Sequence, residues 1–135
     1  MTISLAILVG LALGRGGPPA VQAPAGQKVP PQLAKARLDA ARQAYEGYWR
    51  RLRSDRGGDP EKCYSWSRRW MEAQQALGAG KAAEQAAQAH LERMKELEKL
   101  LAALARTGQG TQADADAAQY YRVEAEIWLS QVKGK

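Results

Sequence analysis

The sequence predicts an all-α fold made of two tandem antiparallel helical hairpins, arranged as a four-helix bundle or an elongated coiled-coil-like array. Three observations predict it. Residues 37–83 overlay residues 89–135 without a gap, pairing Glu46 with Glu98, Leu52 with Leu104, Gly58 with Gly110, Glu72 with Glu124, Ala73 with Ala125 and Leu77 with Leu129. A gap-free overlay of this length marks a duplicated supersecondary unit. Beyond Pro31 the only β-branched aliphatic residues are Val123, Ile127 and Val132, while Ala, Leu, Gln, Glu, Arg and Lys dominate. That alphabet forms helices and lacks what a sheet would need. The third observation is punctuation: glycine clusters cut the chain into segments that each carry one apolar seam.

Residues 1–23 have the pattern of a secretory signal peptide. The apolar run from Ile3 to Leu13 is long enough for a hydrophobic core region and too short to span a bilayer. Ala20-Val21-Gln22-Ala23 places small residues at a cleavage site after Ala23. Met1-Thr2-Ile3-Ser4 carries no basic residue, so the leading region is weak. Residues 24–31 complete a Gly/Pro-rich stretch expected to be a disordered linker. A helical domain follows over 32–135, with hairpin one at 32–78 and hairpin two at 81–133.

The first helix is expected from about Gln32 to Asp55, ending at Gly57-Gly58. Asp59-Pro60 then offers an N-cap acceptor and a proline at the first helical position, where its missing N–H is no loss. The second helix continues to Leu77 and stops at Gly78-Ala79-Gly80. A third runs from about Lys81 to Arg106. Thr111 with Asp114 resembles a capping box opening a fourth, which reaches about Lys133.

Each segment has apolar residues at alternating steps of three and four. The first gives Ala34, Leu38, Ala41, Tyr45, Tyr48 and Leu52, widened by Trp49. The second gives Cys63, Trp66, Trp70, Ala73 and Leu77. On the third the seam is Ala83, Ala87, His90, Met94, Leu97, Leu101 and Leu104, with Leu91 and Leu100 beside it. On the fourth it is Ala118, Tyr121, Ala125, Trp128 and Val132, with Leu129 alongside. Phe is absent, so Trp and Tyr supply the bulk.

Candidate chemistry is sparse. The single His90 falls in a seam, and with no second histidine a histidine-based metal site lacks ligands. Glu46, Glu72, Glu98 and Glu124 repeat, but a two-metal bundle also needs Glu-x-x-His, and no Glu stands three residues before His90. Ion pairs at i,i+4, Glu46 with Arg50 and Arg68 with Glu72, account better for them. No phosphate loop, cofactor motif or nucleophile–base pairing is evident, so no catalytic, cofactor or metal residue is assigned. The lone Cys63 excludes an internal disulfide.

Charge is uneven. Hairpin one (33–77) holds ten basic and six acidic residues, and the second hairpin (81–135) eight of each. Arg50, Arg51, Arg53 and Arg56 approach the first turn, and Arg68 and Arg69 follow among Trp and Tyr. These six could contact an anionic envelope surface, or nucleic acid by phosphate contacts and stacking. Otherwise they solvate a face and cover aromatic rings with their stems.

The strings Tyr64-Ser65-Trp66-Ser67-Arg68-Arg69-Trp70-Met71-Glu72-Ala73 and Tyr120-Tyr121-Arg122-Val123-Glu124-Ala125-Glu126-Ile127-Trp128-Leu129 resemble those of exported bacterial proteins with paired helical hairpins. More remotely, the unit is similar to the helical repeat of outer-membrane efflux (TolC-type) proteins. This chain has no membrane strands, and helices of about 25 residues reach only ~38 Å. The resemblance implies a shared helical unit over residues 33–133, not transport.

The expected function is a non-enzymatic, exported scaffold or protein-interaction module of the cell envelope, periplasmic or envelope-bound, whose partner is a protein or another copy of itself. One alternative is an accessory component docking on an envelope efflux assembly. A second, a basic nucleic-acid-binding module, would require that the N-terminal run not direct export.

Overall fold

The computed structural model describes residues 28–54 and 57–134. The apolar run, the cleavage motif, most of the linker and Arg56 lie outside them. Four helices make up the fold: α1 (Pro31–Arg53), α2 (Pro60–Leu77), α3 (Lys81–Arg106) and α4 (Gln112–Lys133). The described residues contain no strand.

Local signals explain the starts of α2 and α4. The α2 start is fixed by Asp59, whose Oδ1 accepts from the amides of Glu61 at 2.9 Å and Lys62 at 3.4 Å. The α4 start is fixed by Thr111, whose Oγ1 accepts from the Asp114 amide at 3.1 Å, the forward bond of a capping box. Such a cap stabilises a helix by ~1 kcal/mol. α1 is described to Arg53, after which the Ser54 amide turns back to the Arg51 carbonyl, and the expected end at Asp55 lies outside the described residues.

The duplication persists in atomic detail. Gly58 lies so close to Leu52 that an added Cβ would stand 2.3 Å from the leucine Cα. At the equivalent place in hairpin two, a Cβ on Gly110 would meet that of Leu104 at 3.0 Å. Both turns therefore fold back onto the leucine six residues earlier, and they sit side by side at one end of the molecule.

Each helix packs against the next in chain order, and Tyr64 of α2 also reaches α4. α2 and α3 are the inner helices, and α1 and α4 form the outer edges. The bundle is thus an open array of two hairpins. α3 is packed by α2 and α4 and also met by Tyr45 of α1, and Met94, Leu97 and His90 there are among the most deeply buried side chains.

Two expectations change. Leu77 is 52% exposed, whereas its repeat counterpart Leu129 is buried. Leu77 is the last residue of α2, where the chain already departs through Gly78, while α4 continues one turn beyond Leu129. α2 also buries a second face, through Ser67 and Met71, because it is packed by both α1 and α3.

Candidate functional site

The chemistry of this molecule is concentrated where the two hairpins meet. Ser67 on α2 and His90 on α3 are fully buried, and Arg93, one turn further along α3, is nearly so. Arg93 Nε–H donates to Ser67 Oγ at 2.7 Å, and its second guanidinium nitrogen donates to the Ser67 carbonyl at 3.3 Å. Ser67 Oγ also lies 2.7 Å from His90 Nδ1. Because that oxygen accepts from Arg93, its own proton is free to go to Nδ1. His90 is then neutral with its proton on Nε2.

Electrostatics keep the imidazole neutral. Burial, followed by the nearby charges of Arg93 and Arg68, pushes His90 down to about 3. Nε2 is buried with no hydrogen-bond partner among the described residues. The imidazole stacks on Trp128 with centroids 5.7 Å apart and is tilted against Tyr64 at 6.3 Å. Tyr64 in turn stacks on Tyr121 at 4.1 Å and donates its hydroxyl to Glu124. Burial and that hydrogen bond push the Tyr64 phenol up to about 12.

Arg93 carries its charge into the interior without a carboxylate at ion-pair distance among the described residues. Burial lowers it to about 10, which still leaves it protonated at neutral pH. Its guanidinium carbon lies 4.0 Å from the centre of the Trp70 ring and 5.5 Å from that of Tyr45. Cation–π attraction of this kind is worth up to ~2 kcal/mol when desolvated. Four aromatic residues and one serine therefore hold the hairpins together around two nitrogenous side chains.

A serine 2.7 Å from a histidine also has the spacing of a nucleophile and its base. Here the hydroxyl already accepts from Arg93, no third group among the described residues bonds Nε2, and both residues are buried. These bonds tie α2 of the first hairpin to α3 of the second. Among the described residues, no group of three or more His, Cys, Asp or Glu is placed to hold a metal ion. Cys63 is buried, and burial followed by Asp59 pushes its thiol up to about 11.

The repeated carboxylates divide. Glu72 pairs with Arg68 at 2.9 Å as expected. Glu98 instead meets Arg122 across α3 and α4, and Glu124 accepts from Tyr64 of α2. Glu46 and Arg50 do not pair. An i,i+4 reading could find only contacts along one helix.

The expected basic residues are not brought together. Arg53 borders a depression of about 520 Å³ shared with Trp49 of α1 and with Glu96, Lys99 and Leu100 of α3. Arg51 lies on another side of α1, beside Ala44, Gly47 and Tyr48. Arg50 is exposed at the C-terminal end of α1. Arg68 covers the Trp128 ring at 5.1 Å, and Arg69 covers Trp66 at 4.6 Å beside Arg37. Arg56 lies outside the described residues.

Sequence reasoning missed Ser67 and Arg93. Their spacing carried a signal: Arg93 lies between the seam residues His90 and Met94, on the same side of the helix.

Comparison of the chain with protein-family models, curated proteins and solved structures finds no match. No helix among the described residues is long and apolar enough to cross a membrane.

Proposed function

We propose that this chain is a non-catalytic helical interaction module, exported to the cell envelope, which binds protein through the outer face of α4. One observation carries this reading. Tyr120, Val123 and Ile127 follow one another along that face at steps of three and four, and are 65%, 40% and 50% exposed. Scattered apolar residues are ordinary on a surface, but a row of large ones on one helix face is characteristic of a protein contact.

The remaining features support the same reading. The polar side chains with chemical potential, Ser67, His90 and Arg93, are occupied in holding the hairpins together. The arginines are dispersed over several faces, and two of them cover Trp rings, which favours a protein partner over a polyanion. The apolar run Ile3–Leu13 and the small residues before Pro24 support export.

The test is a photo-crosslinking residue at Ile127 in the native host, followed by fractionation. Protein adducts in the envelope fraction are expected at Ile127, and none from the same probe at the exposed Glu92 of α3. Absence of adducts at Ile127, or recovery of the chain with an intact Met1 from cytoplasm, would overturn the proposal.

A further inference from the structure

The open face of α4 has a counterpart inside the molecule. α2 and α4 are equivalent in the repeat, and Asp116, Gln119, Tyr120, Val123, Glu126 and Ile127 correspond to Tyr64, Ser67, Arg68, Met71, Gln74 and Gln75. On α2 this is the face turned to the second hairpin, where Tyr64 and Arg68 meet Tyr121 and Trp128 of α4. Ser67 there bonds His90 and Arg93, and Gln75 donates to the Ala83 carbonyl. On α4 all six counterparts are exposed. The face that α2 uses to receive the next hairpin is therefore repeated on α4, where the described chain offers no further hairpin to receive.

The opposite edge offers a complementary surface. Along α1, Leu33, Arg37, Ala40, Ala44, Gly47 and Arg51 recur at steps of four and three, a second seam beside the one buried against α2, with Arg37 and Ala40 at the rim of the α1–α2 groove. Its middle is small where the α4 row is large, as helix packing of knobs into holes requires. Gly47 is the most telling member. A glycine inside a helix costs about 0.5–1 kcal/mol relative to alanine, and an added Cβ here would meet nothing within 4 Å. Nothing within the described chain calls for a glycine at that position, whereas a helix laid across it would.

Charge agrees in sign. α1 holds six basic and two acidic residues, and α4 holds four acidic and two basic. Asp116 and Glu126 flank the apolar row on α4, while Arg37 and Arg51 flank the small residues on α1.

We infer that the partner of the α4 face is a second copy of this chain, received through the outer seam of its α1. This rests on the interaction reading above and names its partner. α4 of one copy takes the outer seam of α1 of the next, so the two contacting surfaces differ. A contact of that kind leaves a free end on each side and propagates instead of closing as a two-fold dimer.

Sedimentation velocity on the full chain purified from its host tests this over a concentration series. Oligomers extending beyond dimer are expected, weakening as salt rises because part of the attraction is between exposed charges. Ile127→Glu disables the α4 surface. Gly47→Glu disables the α1 surface, and the open space above Gly47 leaves the monomer fold intact. Each variant alone should stay monomeric, with self-affinity reduced more than ~tenfold, about 1.4 kcal/mol. Circular dichroism should show unchanged helicity for both.

Mixing the two variants decides the matter. Each retains the surface the other lacks, so an equimolar mixture should form dimers and nothing larger. Dimers of Gly47→Glu alone would mean that α4 pairs with α4 and would overturn the inference. A wild-type chain monomeric throughout would also overturn it. If Ile127 still crosslinks to a different protein in that case, the interaction reading survives without self-assembly. If it crosslinks to none, both fall.

Discussion

Arg93 is held by the face of Trp70, 4.0 Å from its guanidinium carbon, where a buried cation would ordinarily have a carboxylate. Replacing a buried charge by an apolar side chain of similar volume is often neutral or stabilising, while leaving a hole is not. Arg93→Met should therefore change stability by less than ~1.5 kcal/mol, whereas Arg93→Ala should cost ~2–5 kcal/mol, as core truncations do. Urea unfolding midpoints measure both. An equal loss in the two variants would show that the charge, not the volume, holds the hairpins.

Trp70 meets both Arg93 and Tyr45, with ring centroids 5.7 Å apart in the latter pair. Trp70→Ala should cost roughly 3–5 kcal/mol. In a double-mutant cycle with Arg93→Met, a coupling of about 0.5–2 kcal/mol is expected for the cation–π contact. Strict additivity would show that Trp70 acts by bulk alone.

His90 makes stability depend on pH. Its pKa is depressed in the folded chain to about 3, from 6.5. The unfolded chain then binds the proton first. Its contribution is fully present above the unfolded value and is lost as pH falls from there towards the folded value. Within that window the slope approaches 1.4 kcal/mol per pH unit. His90→Gln should remove this part of the slope, while the effects of the carboxylates remain in both proteins. Identical slopes for the two would show that His90 takes up a proton without unfolding.

The helix ends were legible in the sequence because capping and turns are local: Asp59-Pro60, Thr111 and the glycine clusters act within a few residues. The apolar seams were legible for the same reason. The site was not. A single sequence shows one stripe per helix, but α2 buries two, and nothing local says that Ser67 faces a second hairpin. Arg93 carries the charge of a surface residue, and only the placement of Trp70 and Tyr45 from other helices makes its burial tolerable. The cross-helix partners of Glu98 and Glu124 were hidden likewise.

Glycine substitutions should separate the turns from the helix. Gly58→Ala places a Cβ against the Leu52 backbone, so the turn must shift and stability should fall. At Gly110 the nearest contact is the Leu104 Cβ, and the loss should be smaller. Gly47→Ala should raise monomer stability by ~0.5–1 kcal/mol. Thermal unfolding of the three variants checks the order.

Changing Arg50, Arg51, Arg53 and Arg56 together to Gln should leave helicity intact and cause no steep fall in affinity for DNA or RNA. Exposed charges contribute little individually, and the described members of this group face different sides of α1. Tight wild-type binding to nucleic acid at physiological salt, abolished in the quadruple variant, would contradict the dispersed arrangement.

The buried thiol of Cys63 makes the molecule its own stopwatch. Enclosed near the start of α2 and holding its proton well above neutrality, it is closed to disulfide exchange and alkylation while the helices stay packed. An oxidising compartment would leave it reduced, and copies of the chain would not become cross-linked through it. A thiol reagent in excess would be consumed only as fast as α2 leaves its neighbours. Labelling at this one atom would then time the opening of the first hairpin.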